Sequence, residues 1–190
     1  ATDTLKGNTA IVCGSTQGIG HAAAQLLASM GASVILVARN EEKLQHAVKN
    51  LPQAHLQHSW IRADFGNPSE VDALAAQLKD KKVSILVNNT GGPSAGKITS
   101  ALAEEFTAAF HNHLIANHKI TLAVVDSMKQ GGYGRIINII STSVKQPLPN
   151  LGVSNTIRGA VASWAKTMAN ELGAFGITVN NVLPGATATQ

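Results

Sequence analysis

The stretch Thr9-Ala10-Ile11-Val12-Cys13-Gly14-Ser15-Thr16-Gln17-Gly18-Ile19-Gly20 sets how the rest of the chain is read. Its first half is a short apolar run with β-branched residues, closed by a glycine. Beyond Gly20, residues 21–30 place Ala, Leu and Met at helical spacing, so the order is strand, glycine loop, helix. Such a loop suits a nucleotide, because free backbone N–H groups at a helix N-terminus attract a pyrophosphate. Gly14, Ser15, Thr16, Gly18, Ile19 and Gly20 are therefore candidate cofactor contacts. The glycine spacing is wider than G-x-G-x-x-G, and a tight turn alone also recruits glycine, so the loop by itself decides little.

The sequence on either side repeats the same grammar. Gly31 ends the helix, 33–38 forms a second buried strand, and Asn40 followed by Glu41 and Glu42 is a capped, acidic first turn. A strand over 58–63, a helix over 68–79, a strand over 83–88 and helical material over 102–128 follow, with Gly131-Gly132 as a stop. The spacing then predicts a strand over 135–140, a long helix over 155–172 and a sixth strand over 177–183, closed by Pro184-Gly185. Strands apolar on both faces and alternating with helices imply a parallel sheet covered on both sides. The expected fold class is α/β, a doubly wound parallel sheet of Rossmann type with helices on both faces, in strand order 3-2-1-4-5-6.

Composition narrows the function classes. Hydrophobic residues make up 44% of the 190 and charged residues 14%, against roughly 25% charged in an average soluble domain, which excludes disorder as the main state. The length suits one domain, so 1–190 is read as a single dinucleotide-binding domain. A net charge of +4, scattered singly apart from Lys81-Lys82, is too diffuse for nucleic acid. No apolar run approaches the ~20 residues of a membrane span, and residues 1–7 lack the pattern of a signal peptide. The one cysteine, Cys13, sits in an apolar run and reads as a small buried hydrophobe in a reducing compartment. The expected location is cytoplasmic, with neither nucleic acid nor membrane as partner.

Three more motifs follow the glycine loop in order. Asn88-Asn89-Thr90-Gly91 lies after the fourth strand, Ile137-Asn138-Ile139-Ile140-Ser141 ends the fifth, and Asn180-Asn181-Val182-Leu183-Pro184-Gly185 ends the sixth. From about Lys6 to Gln190 the chain resembles the short-chain dehydrogenase/reductase family, and within it the 3-oxoacyl-(acyl-carrier-protein) reductase-like members. The resemblance implies a nicotinamide dinucleotide across the C-terminal ends of the strands. It implies hydride exchange between its ring and a carbonyl or secondary alcohol. It also implies Asp64 beside the adenine amine, Asn89 and Gly91 along the adenosine ribose, and Pro184, Gly185 and Thr187 or Thr189 near the carboxamide. Asp64 has a second reading, as a cap on the Asn67-Pro68 turn. Family members continue past the sixth strand into a substrate-covering lid, which is expected to be missing from a chain ending at Gln190.

The choice of nucleotide rests on the end of the second strand, where an acid would bind a ribose 2′-hydroxyl and a base a 2′-phosphate. Ala38 stands where NAD-preferring relatives carry Asp, and Arg39 follows with a planar donor fork suited to phosphate. NADP is the expected cofactor in preference to NAD. Arg39 also reads as a surface residue near a helix start, with Ser15 or Thr16 serving the phosphate instead.

The catalytic set departs from the family pattern. The resemblance implies a Tyr-x-x-x-Lys pair, a Ser holding the substrate oxygen and an Asn organising a water. Ser141 matches the Ser, but the Tyr and Lys positions hold Ser154 and Arg158, and the Asn position aligns with His113, next to Asn112. A serine hydroxyl is a far weaker acid than a phenol, and Arg stays charged. The only tyrosine, Tyr133, enters the fifth strand and so falls at the wrong edge of the sheet. Ser141, Ser154, Arg158 and His113 are the candidate catalytic residues, with Thr142, Ser143 and Lys145 nearby. Arg158 is read as a ribose contact or as a stabiliser of a developing alkoxide, and the proton as coming from water or His113. The favoured placement of His113 itself is on a helix surface. His111, His113 and His118 do not share a helix face, so no metal site is expected.

The reading that results is an NADP(H)-dependent oxidoreductase with an atypical catalytic set, acting on a small carbonyl or alcohol. The alternative is a non-catalytic nucleotide-binding or subunit protein that retains the fold. Ala-rich helices over 102–128 and 155–172, carrying Trp164, correspond to the pair that joins subunits in the family, so a homodimer or homotetramer is expected.

Overall fold

The computed structural model describes residues 3–185. β1 (Thr9–Cys13), β2 (Ser33–Ala38), β3 (Ser59–Arg62), β4 (Ile85–Asn88), β5 (Gly134–Ile139) and β6 (Ile177–Val182) form one sheet in the order β3-β2-β1-β4-β5-β6. Every pairing is parallel, with Ile11 opposite both Ile35 and Leu86 at the centre. This is the order expected from the alternation of apolar runs.

Successive strand residues face opposite sides, and each side has its own core. On one side Ile11, Val37, Leu86 and Ile136 pack with Leu74 and Leu78 of α3 (Pro68–Lys79) and Ile120, Val124 and Met128 of α5 (Ala116–Gly131). Met168 and Leu172 of α6 (Gly152–Leu172) join them. On the other side Val12, Leu36 and Val87 pack with Ala24 and Ala28 of α1 (Gly18–Ser29) and Leu44 of α2 (Glu41–Lys49). Cys13 is buried within the first core, and burial pushes its thiol pKa up to about 12, as befits an inert small hydrophobe.

Local signals set most boundaries. The Asn40 side chain accepts from the Lys43 N–H, and Asn67 accepts from Ser69 ahead of Pro68. Gly31 and Gly132 take left-handed φ values of 97° and 61° where α1 and α5 end. Several strands are a residue or two shorter than their apolar runs, and α6 begins at Gly152 rather than at 155.

The helical material expected over 102–128 is present without a break from Ala103 onward, as α4 (Ala103–Ala109), a wide π-helical turn over Phe110–Ile115 and then α5; the wide turn is what the sequence did not show. Among the described residues no helix is long and apolar enough to cross a membrane.

Candidate active site

The glycine loop is packed against the end of β4. Asn89 Nδ2 donates to the Cys13 and Gly14 carbonyls at 3.3 and 3.2 Å. A Cβ on Gly14 would lie 2.5 Å from the Asn89 carbonyl oxygen, and one on Gly20 would lie 2.2 Å from that of Gly14. Both positions therefore exclude any side chain, and Gly14 and Gly18 also hold left-handed φ values of 57° and 56°.

The helix behind this loop is left open to a ligand. Gln17 stands at the N-cap of α1 without bonding a first-turn N–H through its side chain, and the first turn carries no acid. Unsatisfied donors at a positive helix end fit a pyrophosphate. Ser15, however, is fully buried with its hydroxyl toward the Val37 carbonyl at 3.4 Å. That corrects the expectation that its side chain serves a phosphate, and leaves Thr16, half-buried, as the hydroxyl on the loop. Ile19 packs into the core on the α1 side of the sheet. Arg39 is exposed just past β2, and among the described residues it has no carboxylate partner. Asp64 accepts from the Gly66 N–H at 2.9 Å through its side chain and from the Asn67 N–H at 3.0 Å through its carbonyl, so it closes the turn that leads to Asn67 and Pro68, and Asn67 caps the helix that follows. Pro184 accepts from the Thr142 N–H at 3.2 Å, which ties the chain after β6 to that after β5. Thr187 and Thr189 lie outside the described residues.

At the same edge, Ser141 follows β5 and accepts from the Ser143 N–H at 3.1 Å, capping a short turn over Thr142–Val144. α6 packs on this turn and on the wide turn of Phe110–Ile115, so its N-terminal half faces both. The loops are strapped together further out. The Gly96 N–H donates to the Asn150 carbonyl at 2.7 Å, and the Gly152 N–H to that of Gly96 at 3.1 Å. Residues four apart on a helix share a face, which stacks Ser154 and Arg158 one turn apart on α6.

Arg158 is only 8% exposed. Its Nη1 donates to the Ile139 carbonyl at 3.3 Å, and Gly92 lies beside Nη2, where a Cβ would be 3.6 Å away. Burial pulls its pKa below the ordinary arginine value.

His113 overturns its expected surface placement, being 1% exposed with Nδ1 2.5 Å from Thr90 Oγ1. The physical reason is the wide turn, which inserts an extra residue per turn and rotates the following side chains relative to a regular helix. Burial first, and the Arg158 charge second, push its pKa down to about 4. The imidazole is thus neutral near pH 7. Lys145 is exposed. Tyr133 precedes β5 with Arg135 stacked 4.2 Å from its ring centroid, at the N-terminal edge of the sheet. His118 accepts from Trp164 Nε1 at 3.2 Å, and among the described residues no three His, Cys, Asp or Glu side chains gather as metal ligands.

Two features escaped the sequence. One is the Thr90 partnership of His113, signalled only by Thr90 standing where Ala is commoner. The other is an asparagine ladder under the site: Asn88 Nδ2 donates to Asn138 Oδ1 at 2.9 Å, and Asn138 Nδ2 to Asn181 Oδ1 at 3.1 Å. The motif quotations contained all three asparagines without showing that strand register aligns them.

A parallel sheet in this order, with an uncapped helix behind a glycine loop at its C-terminal edge, defines a Rossmann-type α/β domain. Residues 8–190 match the family model for short chain dehydrogenase, and the chain belongs to that family. It is 32% identical to the 3-oxoacyl-(acyl-carrier-protein) reductase FabG of Vibrio cholerae, an alignment covering 98% of this chain and 76% of that one. It is also 32% identical to the human inactive hydroxysteroid dehydrogenase-like protein 1, over 97% of this chain and 57% of that one. L-sorbose reductase from Gluconobacter frateurii, crystallised with NADPH and L-sorbose, superposes with a TM-score of 0.91 at 30% identity. That match covers 100% of this chain and 73% of the reductase.

Proposed function

We propose that the protein is an NADP(H)-dependent oxidoreductase interconverting a small carbonyl compound and a secondary alcohol through Ser141, Ser154, Arg158 and His113. The observation that carries this reading is Arg158, a buried guanidinium without a carboxylate partner among the described residues, on the strand edge where the glycine loop also opens. Gly14, Thr16, Gly18, Ile19, Gly20, Arg39, Asp64, Asn89, Gly91, Pro184, Gly185 and Thr187 would hold the cofactor, Ser15 through its backbone alone. The bound cofactor supplies hydride to the carbonyl carbon.

As the carbonyl electron pair shifts to oxygen, Ser141 donates a hydrogen bond to it and Arg158 stabilises the developing negative charge. Water delivers the proton, since neutral His113 and Ser154 are poor acids at neutral pH. NADP is preferred to NAD because Ala38 leaves no acid for a 2′-hydroxyl and Arg39 offers a fork to a 2′-phosphate. The bound NADPH of L-sorbose reductase supports that preference. We place the protein in the cytoplasm as a homodimer or homotetramer.

The second reading, a non-catalytic nucleotide-binding or subunit protein that retains the fold, is favoured by Ser154 and Arg158 at the Tyr and Lys positions and by the inactive relative. Fluorescence titration with NADPH and NADH tests the binding. Wild type is expected to prefer NADPH, with Arg39→Ala weakening NADPH alone by roughly 10- to 100-fold. Binding of neither nucleotide would overturn the first reading and leave the second only as a subunit protein. NADPH oxidation on a carbonyl panel, abolished in folded Arg158→Ala, would exclude the second.

A further inference from the structure

We infer that the N-terminal edge of the sheet, opposite the nucleotide loop, is a docking surface for an acidic protein segment. In the sequence the cations are scattered, but a parallel sheet starts all its strands on one side and so gathers several of them. Lys6 stands ahead of β1, Lys81 and Lys82 stand ahead of β4, and Arg135 is the second residue of β5. Lys129, in the last turn of α5, joins them. β1, β4, β5 and β6 are successive neighbours, about 4.8 Å apart, so these residues form a strip roughly 15 Å long.

The strip is continuous. Ser84 Oγ donates to Asn8 Oδ1 at 2.8 Å, which fixes the segment after Lys6 beside the segment after Lys82, and the Arg135 N–H donates to the Ser84 carbonyl at 2.9 Å. One end of it is anchored and aromatic. Arg135 Nη1 donates to the Gly134 and Gly176 carbonyls at 2.8 and 3.1 Å, and its guanidinium stacks on Tyr133. Lys129 Nζ lies 4.8 Å from the ring centroid of Phe175, which is 45% exposed. Arginine and aromatic side chains held in place, with exposed lysines beside them, combine the anchors of a protein interface with the charges that steer a partner onto it.

Charge decides what docks. The two ion pairs among the described residues are Arg62–Glu70 and Lys119–Asp72, and neither lies on this edge. A cation in the last turn of a helix, such as Lys129, answers the helix dipole, but Lys6, Lys81, Lys82 and Arg135 lie outside the helices. Their shared field favours a negative partner. Asp80 stands next to Lys81, and Asp3 and Glu171 lie at the same end of the fold, so the positive strip is interrupted by acids. A phosphate backbone or an anionic lipid surface is negative throughout and would meet them. A protein segment can set carboxylates against the cations and other side chains against the acids. The inference rests on no reading of the opposite edge.

The test is fluorescence anisotropy of the full chain with a labelled peptide of alternating Glu and Tyr, long enough to span the strip. Binding is expected to weaken roughly tenfold between about 0.05 and 0.5 M salt, as charges are screened. Lys81→Gln together with Lys82→Gln should weaken it roughly fivefold through slower association, and Phe175→Ala roughly tenfold through faster dissociation. Arg135→Gln should abolish it. No binding of the peptide, or binding indifferent to these changes in folded variants, would overturn the inference. So would tighter binding of labelled oligo(dT) or of phosphatidylserine vesicles through the same residues. Should Arg135→Gln unfold, the exposed pair Lys81 and Lys82 decides.

Discussion

Thr90 Oγ1 and His113 Nδ1 lie 2.5 Å apart, joining the loop that leaves β4 to the wide turn between α4 and α5. The bond gives the one buried histidine among the described residues a partner and holds it beside Arg158 as a neutral group. The two side chains act as a unit: Thr90 supplies the hydroxyl that makes an inward imidazole tolerable.

Acid should expose the cost of burying His113. Its pKa is about 4 in the folded chain against 6.5 ordinarily, so an unfolded chain takes up the proton first as pH falls. The stability it contributes is complete above about pH 6.5, is lost progressively down to about 4, and is absent below. The full difference is on the order of 3 kcal/mol. Urea denaturation at pH 7 and pH 4.5 should show a smaller decrease in His113→Asn than in wild type, and equal decreases would refute the account.

Removing Thr90's hydroxyl should cost more than a lost surface contact. Thr90→Val strands the imidazole nitrogen and is expected to destabilise by about 1–3 kcal/mol. With His113→Leu already in place, the same change should cost little. A double-mutant cycle without coupling would show that the short contact carries no energy.

Two glycines of the nucleotide loops should respond in opposite ways. Gly20→Ala drives a methyl to within 2.2 Å of the Gly14 carbonyl oxygen, so the backbone must shift and thermal melting should drop by several degrees. Gly91→Ala meets no heavy atom of the described residues within 4 Å beyond its chain neighbours and should stay within about 0.5 kcal/mol of wild-type stability. A selective loss of NADPH affinity in Gly91→Ala would then report a ligand passing close to this backbone.

The asparagine ladder predicts unequal costs for one chemistry. Asn138 is fully buried and bonds both neighbours, so Asn138→Val should cost about 2–4 kcal/mol. Asn181 is half-buried at the outer strand and makes one of these bonds, so Asn181→Val should cost about 1 kcal/mol. Chemical denaturation gives the ranking, and a reversed order would remove the ladder as the stabilising feature.

Association is expected through α5. Leu122 is 51% exposed there, an apolar side chain turned away from the sheet. Light scattering should report a dimer or tetramer, and Leu122→Glu should shift it toward monomer with the helical signal unchanged. A monomeric wild type would refute the assembly.

The sequence by itself determined the architecture. Apolar runs of strand length such as 33–38 bury both faces only in a parallel sheet, and Asn40, Asn67 and Gly132 mark helix ends through interactions spanning a few residues. The glycine loop and the candidate residues Ser141, Ser154 and Arg158 could be picked out for the same reason, since motif and spacing are local. Tertiary structure alone decided the rest. Whether His113 faces water or the site depends on one extra residue in the turn of Phe110–Ile115, a small backbone preference set by packing between α4, α5 and α6. Ser15 turns its hydroxyl inward because β2 passes beneath it, and Asn88, Asn138 and Asn181 align because strand register places them opposite one another. The isolation of Arg158 is likewise a property of everything around it. A charge is unpaired only relative to all its neighbours, and those come from β4, β5, α6 and the turn before α5, segments brought together by the folding of the sheet.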